Sequence, residues 1–292
     1  GATLLDPEAA RDHYLRAADL HRQRGEILGE RFQRENSALN SLLLGDIVEV
    51  EEVLPLLWQL LDAVEEPSRV RTILRWLEFS LLRCRGVVTI AVEELRTLRA
   101  EVGEAGDPRQ LAYLMTDLAL TCIWEVVGEE GELEAILQEM LDLGARGMGI
   151  GSLALSMQSV QRSRQGEPEA ARHLLTEARE QAAEQGDLVV WEPDLSWAEA
   201  NLAMAEGHWA EALAAFEATV DTLGRANRRW RRARTLIDWA GADLIRGESG
   251  DRERAEELLR EAEAEFEAMG APGYVERVRE RLVELGAGSA VA

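Results

Sequence analysis

The feature that most constrains this chain is a recurring pair of positions, one small and one large, four residues apart inside an apolar helical stripe. In "GHWAEALAAFEAT", residues 207–219, Ala212 precedes Phe216 by about one helical turn, behind Gly207. Around this pair Trp209, Ala212, Leu213, Phe216, Val220 and Leu223 recur at spacings of three and four, the stripe of an amphipathic helix. Similar stripes run through "DPEAARDHYLRAADL" (6–20), "EPEAARHLLTEAREQ" (167–181) and "DRERAEELLREAEAE" (251–265). Degenerate copies centre on Val50 and Leu54, Ala91 and Leu95, and Ile136 and Met140. The small positions therefore fall at 10, 50, 91, 136, 171, 212 and 255. A period averaging about 41 residues marks a stacked repeat array, in which no unit can bury its apolar face alone. The small residue lets the second helix of a pair approach the first, and the large one fills the gap toward the neighbouring pair.

A further apolar helix precedes six of these stripes, over roughly 26–44, 67–84, 108–127, 151–165, 191–206 and 229–246. Turn signals split each pair at Gly45, Gly86, Gly128 with Gly131, Gly166, Gly207, and Gly247 with Gly250. Others divide the units at Pro67, Gly106-Asp107-Pro108, Gly147 with Gly149, Gly186-Asp187, and Gly270. The expected fold is all-α: a right-handed α-α superhelix of about 14 antiparallel helices, made of one unpaired opener, six pairs and a terminal cap. Residues 1–5 read as a cloning remnant or disordered start. One repeat domain is expected over 6–286, with units 26–64, 67–105, 108–146, 151–186, 191–225 and 229–269, a cap at 272–286, and a disordered tail at 287–292.

Charge and composition exclude several partners. The net charge is −23, and the basic residues are all arginine, since the chain has no lysine. So acidic a surface repels phosphate backbones and anionic lipid, so neither direct nucleic-acid binding nor membrane binding is expected. No run of about 18 apolar residues and no signal segment is present, which points to a soluble, cytoplasmic protein. Two cysteines, Cys84 and Cys122, are too few for a disulfide framework and fall in apolar helical segments. The four histidines are scattered, no pair has the i, i+4 spacing of a helical zinc site, and there is neither CxxC nor GxxxxGK. The expectation is no catalytic residue, no metal and no cofactor.

"GHWAEALAAFEAT" resembles the second half of a tetratricopeptide repeat through Gly207, Trp209, Ala212 and Phe216. The resemblance extends over nearly the whole chain and is strongest in the units at 151–186, 191–225 and 229–269. Stretched units of this kind are similar to the arrays of MalT-like regulators and other signal-transduction ATPases. The resemblance implies a non-catalytic scaffold that takes a protein segment, peptide or small ligand on its concave face. It further implies the C-terminal sensor array of a larger bacterial signalling or transcription-regulating protein, partnered by upstream domains of the same polypeptide. An opening helix at residue 6 without a preceding partner fits that expectation. A stand-alone adaptor or peptide receptor is the alternative, and an enzyme with an all-helical cavity the third reading.

The family's concave positions carry over onto Glu35, Trp76, Ser80, Arg83, Glu125, Ser156, Ser163, Trp197 and Asn201. Trp76 and Trp197 are expected groove anchors, and Asn201 a partner for a peptide backbone or carboxylate. The competing reading is that these side chains pack between helices. A carboxylate clamp that uses lysines is not available to this chain. "RANRRWRRAR", residues 225–234, holds six arginines in ten residues. Arg228, Arg231, Arg232 and Arg234 fall largely outside the local apolar stripe, so they are expected either to meet an anionic partner or to offset Glu217 and Asp221. "SMQSVQRSRQ", 156–165, is expected to line a wet groove or to be a poorly buried helix.

Overall fold

The computed structural model describes residues 6–63, 68–105, 108–125, 131–145, 150–186 and 188–289. The sequence signals at Pro67, Gly106-Asp107, Gly128, Gly147, Gly149 and Asp187, the segment 1–5 and the last residues of the tail lie outside them. The described residues form fourteen helices and no strand. The opener is α1 (Pro7–Arg24). The first helices of the six pairs are α2 (Ile27–Leu44), α4 (Ser68–Cys84), α6 (Pro108–Glu125), α8 (Gly151–Arg164), α10 (Leu188–Ala205) and α12 (Arg229–Arg246). Their second members are α3 (Ile47–Asp62), α5 (Val88–Ala105), α7 (Glu132–Leu143), α9 (Pro168–Gln185), α11 (Trp209–Arg225) and α13 (Asp251–Met269). α14 (Pro272–Ser289) caps the array and runs three residues beyond the expected end. α10 starts one turn earlier than expected and carries Pro193 within it, forgoing one backbone hydrogen bond. None of these helices is long and apolar enough to cross a membrane.

The repeat logic governs the packing. Val50, Ala91, Ile136, Ala171, Ala212 and Ala255, the small positions of the six pairs, are all fully buried. The large residues that follow, among them Leu95, Met140, Phe216 and Leu259, are buried beside them. Consecutive helices pack on one another along the chain, an all-α solenoid. Within the first two pairs the chain turns sharply; Gly45 and Gly86 sit at φ 83° and 89°, a left-handed backbone that glycine adopts without a side-chain clash.

One consequence of stacking was not legible from neighbour-to-neighbour contacts. The array bends until its first units meet its last. α12 touches α2, and α14 touches α4. One hydrophobic cluster draws on residues 38–84 and again on 220–278, so the two ends share a core. Its aromatic centre is Trp230, Phe266 and Tyr274, with ring centroids 4.7–5.3 Å apart. From the other end of the chain the Arg83 guanidinium lies 5.5 Å from the Trp230 ring centre. The second cluster spans Phe79 to Phe216 with Ala242 and fills the middle units. Closure adds a core that no single repeat contains.

Candidate functional site

Closure changes what the concave face is. A cavity of about 450 Å³ lies inside the array, walled by α1, α2, α4, α6 and the start of α12. Its rim is open at Tyr113, which is 58% exposed, whereas its floor includes Asn40 and Cys84, at 1% and 0%. The wall is mainly apolar and aromatic: Leu39, Leu43 and Leu120 with Trp76, Trp124 and Trp230. Trp76 and Tyr113 stack nearly parallel, 5.9 Å apart at 17°, so together they present a flat aromatic wall.

Asp117 organises one side. It accepts from Trp76 Nε1 at 3.0 Å, from Ser80 Oγ at 3.2 Å, and from Arg83 Nη1. Arg83 also donates to Thr121 Oγ1 at 2.8 Å. Burial opposes the charge on Arg83, but Asp117 and Tyr274 more than offset that, and its pKa is raised. At the opposite side Arg231 holds buried Asp194 bidentately, at 3.0 and 2.5 Å. Arg228 precedes it on the same wall; burial, then the adjacent Arg231, lowers its pKa to about 10, while Asp194 pulls it upward. The Cys84 thiol is pushed up to about 12, chiefly by burial, so it is not a thiolate at neutral pH.

The expected groove residues thus lie inside, and most are bonded to other groups of the protein. Trp197 is 2% exposed and donates through Nε1 to Asp238 at 2.9 Å. Asn201 Nδ2 donates to the Trp197 carbonyl at 2.8 Å, and its Oδ1 accepts from Arg164 Nε at 3.3 Å. Glu125 accepts from the Tyr274 hydroxyl at 2.7 Å and from Arg277. Glu35 is buried beside Arg31. Ser156 and Ser163 donate to the carbonyls of Ser152 and Ser159, each at 2.9 Å. Ser152 and Ser159 in turn donate to α9 carbonyls at Ala178 and Ala171, so the serines of α8 are buried and satisfied, while Gln158, Gln161 and Arg162 are half-buried and line a separate surface pocket. Of the expected set, only Trp76 and Arg83 reach the cavity.

The arginine cluster is also internal to the fold. Arg232 pairs with Glu261 and with Glu265 at 2.7 Å. Arg234 is 5% exposed, donates to the Trp124 carbonyl at 3.2 Å, and lies 5.4 and 5.7 Å from the Trp124 and Tyr274 ring centres. Its carboxylate neighbour is Glu125 at 3.7 Å. The acidic groups that meet the cluster are therefore Asp194, Glu261, Glu265 and Glu125, not Glu217 and Asp221. The reason is that α12 packs against α2 where the array closes, with Arg234 buried and Arg231 paired to buried Asp194.

Sequence reasoning missed Asn40, Tyr113, Asp117, Trp124 and Trp230 as cavity residues. One signal was present: Trp76 to Asp117 and Trp197 to Asp238 are both steps of 41, matching the repeat period, and both are indole-to-carboxylate bonds between successive units. No protein-family model matches this chain, and no curated protein matches it in sequence.

Proposed function

We propose that this protein is a non-catalytic recognition scaffold whose ligand is a small molecule held in the interior cavity. The observation that carries this reading is closure: the side chains an open array offers to a peptide are bonded within the protein, while a cavity of about 450 Å³ with aromatic walls remains inside. That volume is within the range of small-molecule sites, roughly 300–1,000 Å³. The spacing of Gly207, Trp209, Ala212 and Phe216 supports a tetratricopeptide type of repeat. The resemblance to signal-transduction ATPase arrays supports a place as the sensor region of a larger, cytoplasmic bacterial regulator. A ligand in the cavity touches α2, α4, α6 and α12 at once, so it bridges both ends of the array and favours the closed form.

The test is a small-molecule library screened by thermal shift against the wild-type chain and Leu43→Trp. Leu43 lines the cavity, and an indole there obstructs it. Ligands of the cavity should stabilise the wild type by about 2.7 kcal/mol at 100 times their Kd and lose that effect in Leu43→Trp. Stabilisation that is the same in both proteins, or a tight peptide ligand that Leu43→Trp leaves untouched, overturns the reading.

A further inference from the structure

Resting on the small-molecule reading above, we infer that the cavity selects an uncharged, flat aromatic ring system, one without an ionised headgroup. The charged side chains of the wall are already matched within the protein, and the surface that remains is aromatic and apolar.

An anion needs a cation to meet it. Among the described residues, the charged side chains on the wall are Arg83, Arg228, Arg231 and Asp117. Arg83 pairs with Asp117 and also donates to Thr121. Arg231 is held by both oxygens of buried Asp194. Arg228, beside it, is engaged within the protein and drawn to the same Asp194. An anionic headgroup would have to draw an arginine off a buried carboxylate, and splitting a buried pair is strongly unfavourable.

A cation fares no better. The lining carboxylate, Asp117, accepts from Trp76, Ser80 and Arg83 at once. Aromatic ring faces can also hold a cation. Here Arg83 lies 5.5 Å from the Trp230 ring centre and Arg234 lies 5.4 Å from that of Trp124, so a second cation at either indole meets an arginine.

The uncharged polar side chains are turned away as well. Asn36, Asn40 and Thr116 each donate to a carbonyl one turn earlier in its own helix. Recognition therefore falls to the rings and leucines. The Trp76 and Tyr113 rings, 17° from parallel, make one flat strip, and α2 supplies Leu39 and Leu43. A planar ring system lies along such a strip with its whole face in contact, whereas a saturated one of the same size touches it only at its edges. Without a charge, it also loses the least hydration on entry.

The probe is N-phenylnaphthylamine, a neutral fluorophore, titrated into the full chain and then displaced by naphthylmethanol, naphthoate and naphthylmethylammonium. The expected result is one saturable site, lost in Leu43→Trp, at which the alcohol competes at least about tenfold better than either ion. Decahydronaphthylmethanol, the saturated counterpart, should compete about threefold or more worse than naphthylmethanol. That gap should close in Tyr113→Leu, whose exposed position leaves the fold intact by circular dichroism. An ion that competes within tenfold of the alcohol, or a saturated competitor as good as the flat one, overturns this inference and leaves the cavity reading standing. Binding that persists unchanged in Leu43→Trp, or no saturable binding of the neutral probe or its flat competitors, overturns the inference; the first of these overturns the cavity reading too.

Discussion

Gly273, in the first turn of α14, lies with its Cα against the backbone of Gly86, in the turn between α4 and α5. A β-carbon at 273 would overlap the Gly86 amide, and one at 86 would sit 3.0 Å from the Gly273 Cα. This contact joins the ends of the array. Gly273 has no positive φ, so an alanine there acts through packing alone. Gly273→Ala should cost about 1–3 kcal/mol and expand the molecule in small-angle X-ray scattering. Gly103, inside α5, meets nothing within 4 Å, and Gly103→Ala should instead stabilise by about 0.5–1 kcal/mol. Equal effects from the two substitutions would count against closure.

Because the ends share a core, unfolding should be one cooperative event. Denaturant melts followed by tryptophan fluorescence and by far-ultraviolet circular dichroism should coincide. In Gly273→Ala they should separate, since an open array unfolds as a chain of neighbouring units. Separate transitions in the wild type would mean that the shared core adds little coupling.

Trp197 should behave as a structural residue. Its indole is buried among Trp124, Arg164 and Asp238. Trp197→Ala should lower stability by about 3–5 kcal/mol. Trp197→Phe keeps most of the volume but leaves the Asp238 carboxylate short of a donor, for about 1–3 kcal/mol. Urea midpoints of the two variants decide this; an unchanged midpoint in Trp197→Ala would restore the groove-anchor reading.

The pair that defines the repeat makes opposed predictions. Phe216→Ala leaves a cavity between units and should cost about 3–5 kcal/mol. Ala212→Leu overpacks a fully buried position and should cost about 1–3 kcal/mol. The repeat spacing sets Ala212 against the partner helix and Phe216 against the neighbouring unit, and on that arrangement the double variant should not recover stability. Chemical denaturation of all three proteins gives the answer.

Stability should fall at alkaline pH. Burial raises the Cys84 pKa from 9.0 to about 12, and raises that of Tyr274 as well. Between those values the unfolded chain releases the Cys84 proton and the folded one keeps it, so the stabilisation is complete below pH 9.0 and declines as pH rises toward about 12. Cys84→Ala should flatten this slope in urea midpoints measured across that range. An identical slope in the variant would remove Cys84 as the cause.

Local chemistry wrote the helices into the sequence. Spacings of three and four, glycines at the turns, and an alanine or small aliphatic every 41 residues or so are all properties of neighbouring positions. They were enough to place α2, α4, α8 and α12 to within a residue or so, and to pick out the small positions of the six pairs, Ala212 among them, that pack between helices. The cavity was not written there. Each repeat rotates slightly on the last, and only the sum of those rotations decides whether Glu125 meets Tyr274, 149 positions away, or faces water. Trp197 was expected in a groove from the family's concave positions, and Arg234 from its place outside the local apolar stripe; the closed array buries both against partners that no local pattern names. The sequence by itself determined a helical repeat, since that depends on contacts within and between adjacent units. Tertiary structure alone decided that the concave face became an interior, because closure is a long-range sum of small angles.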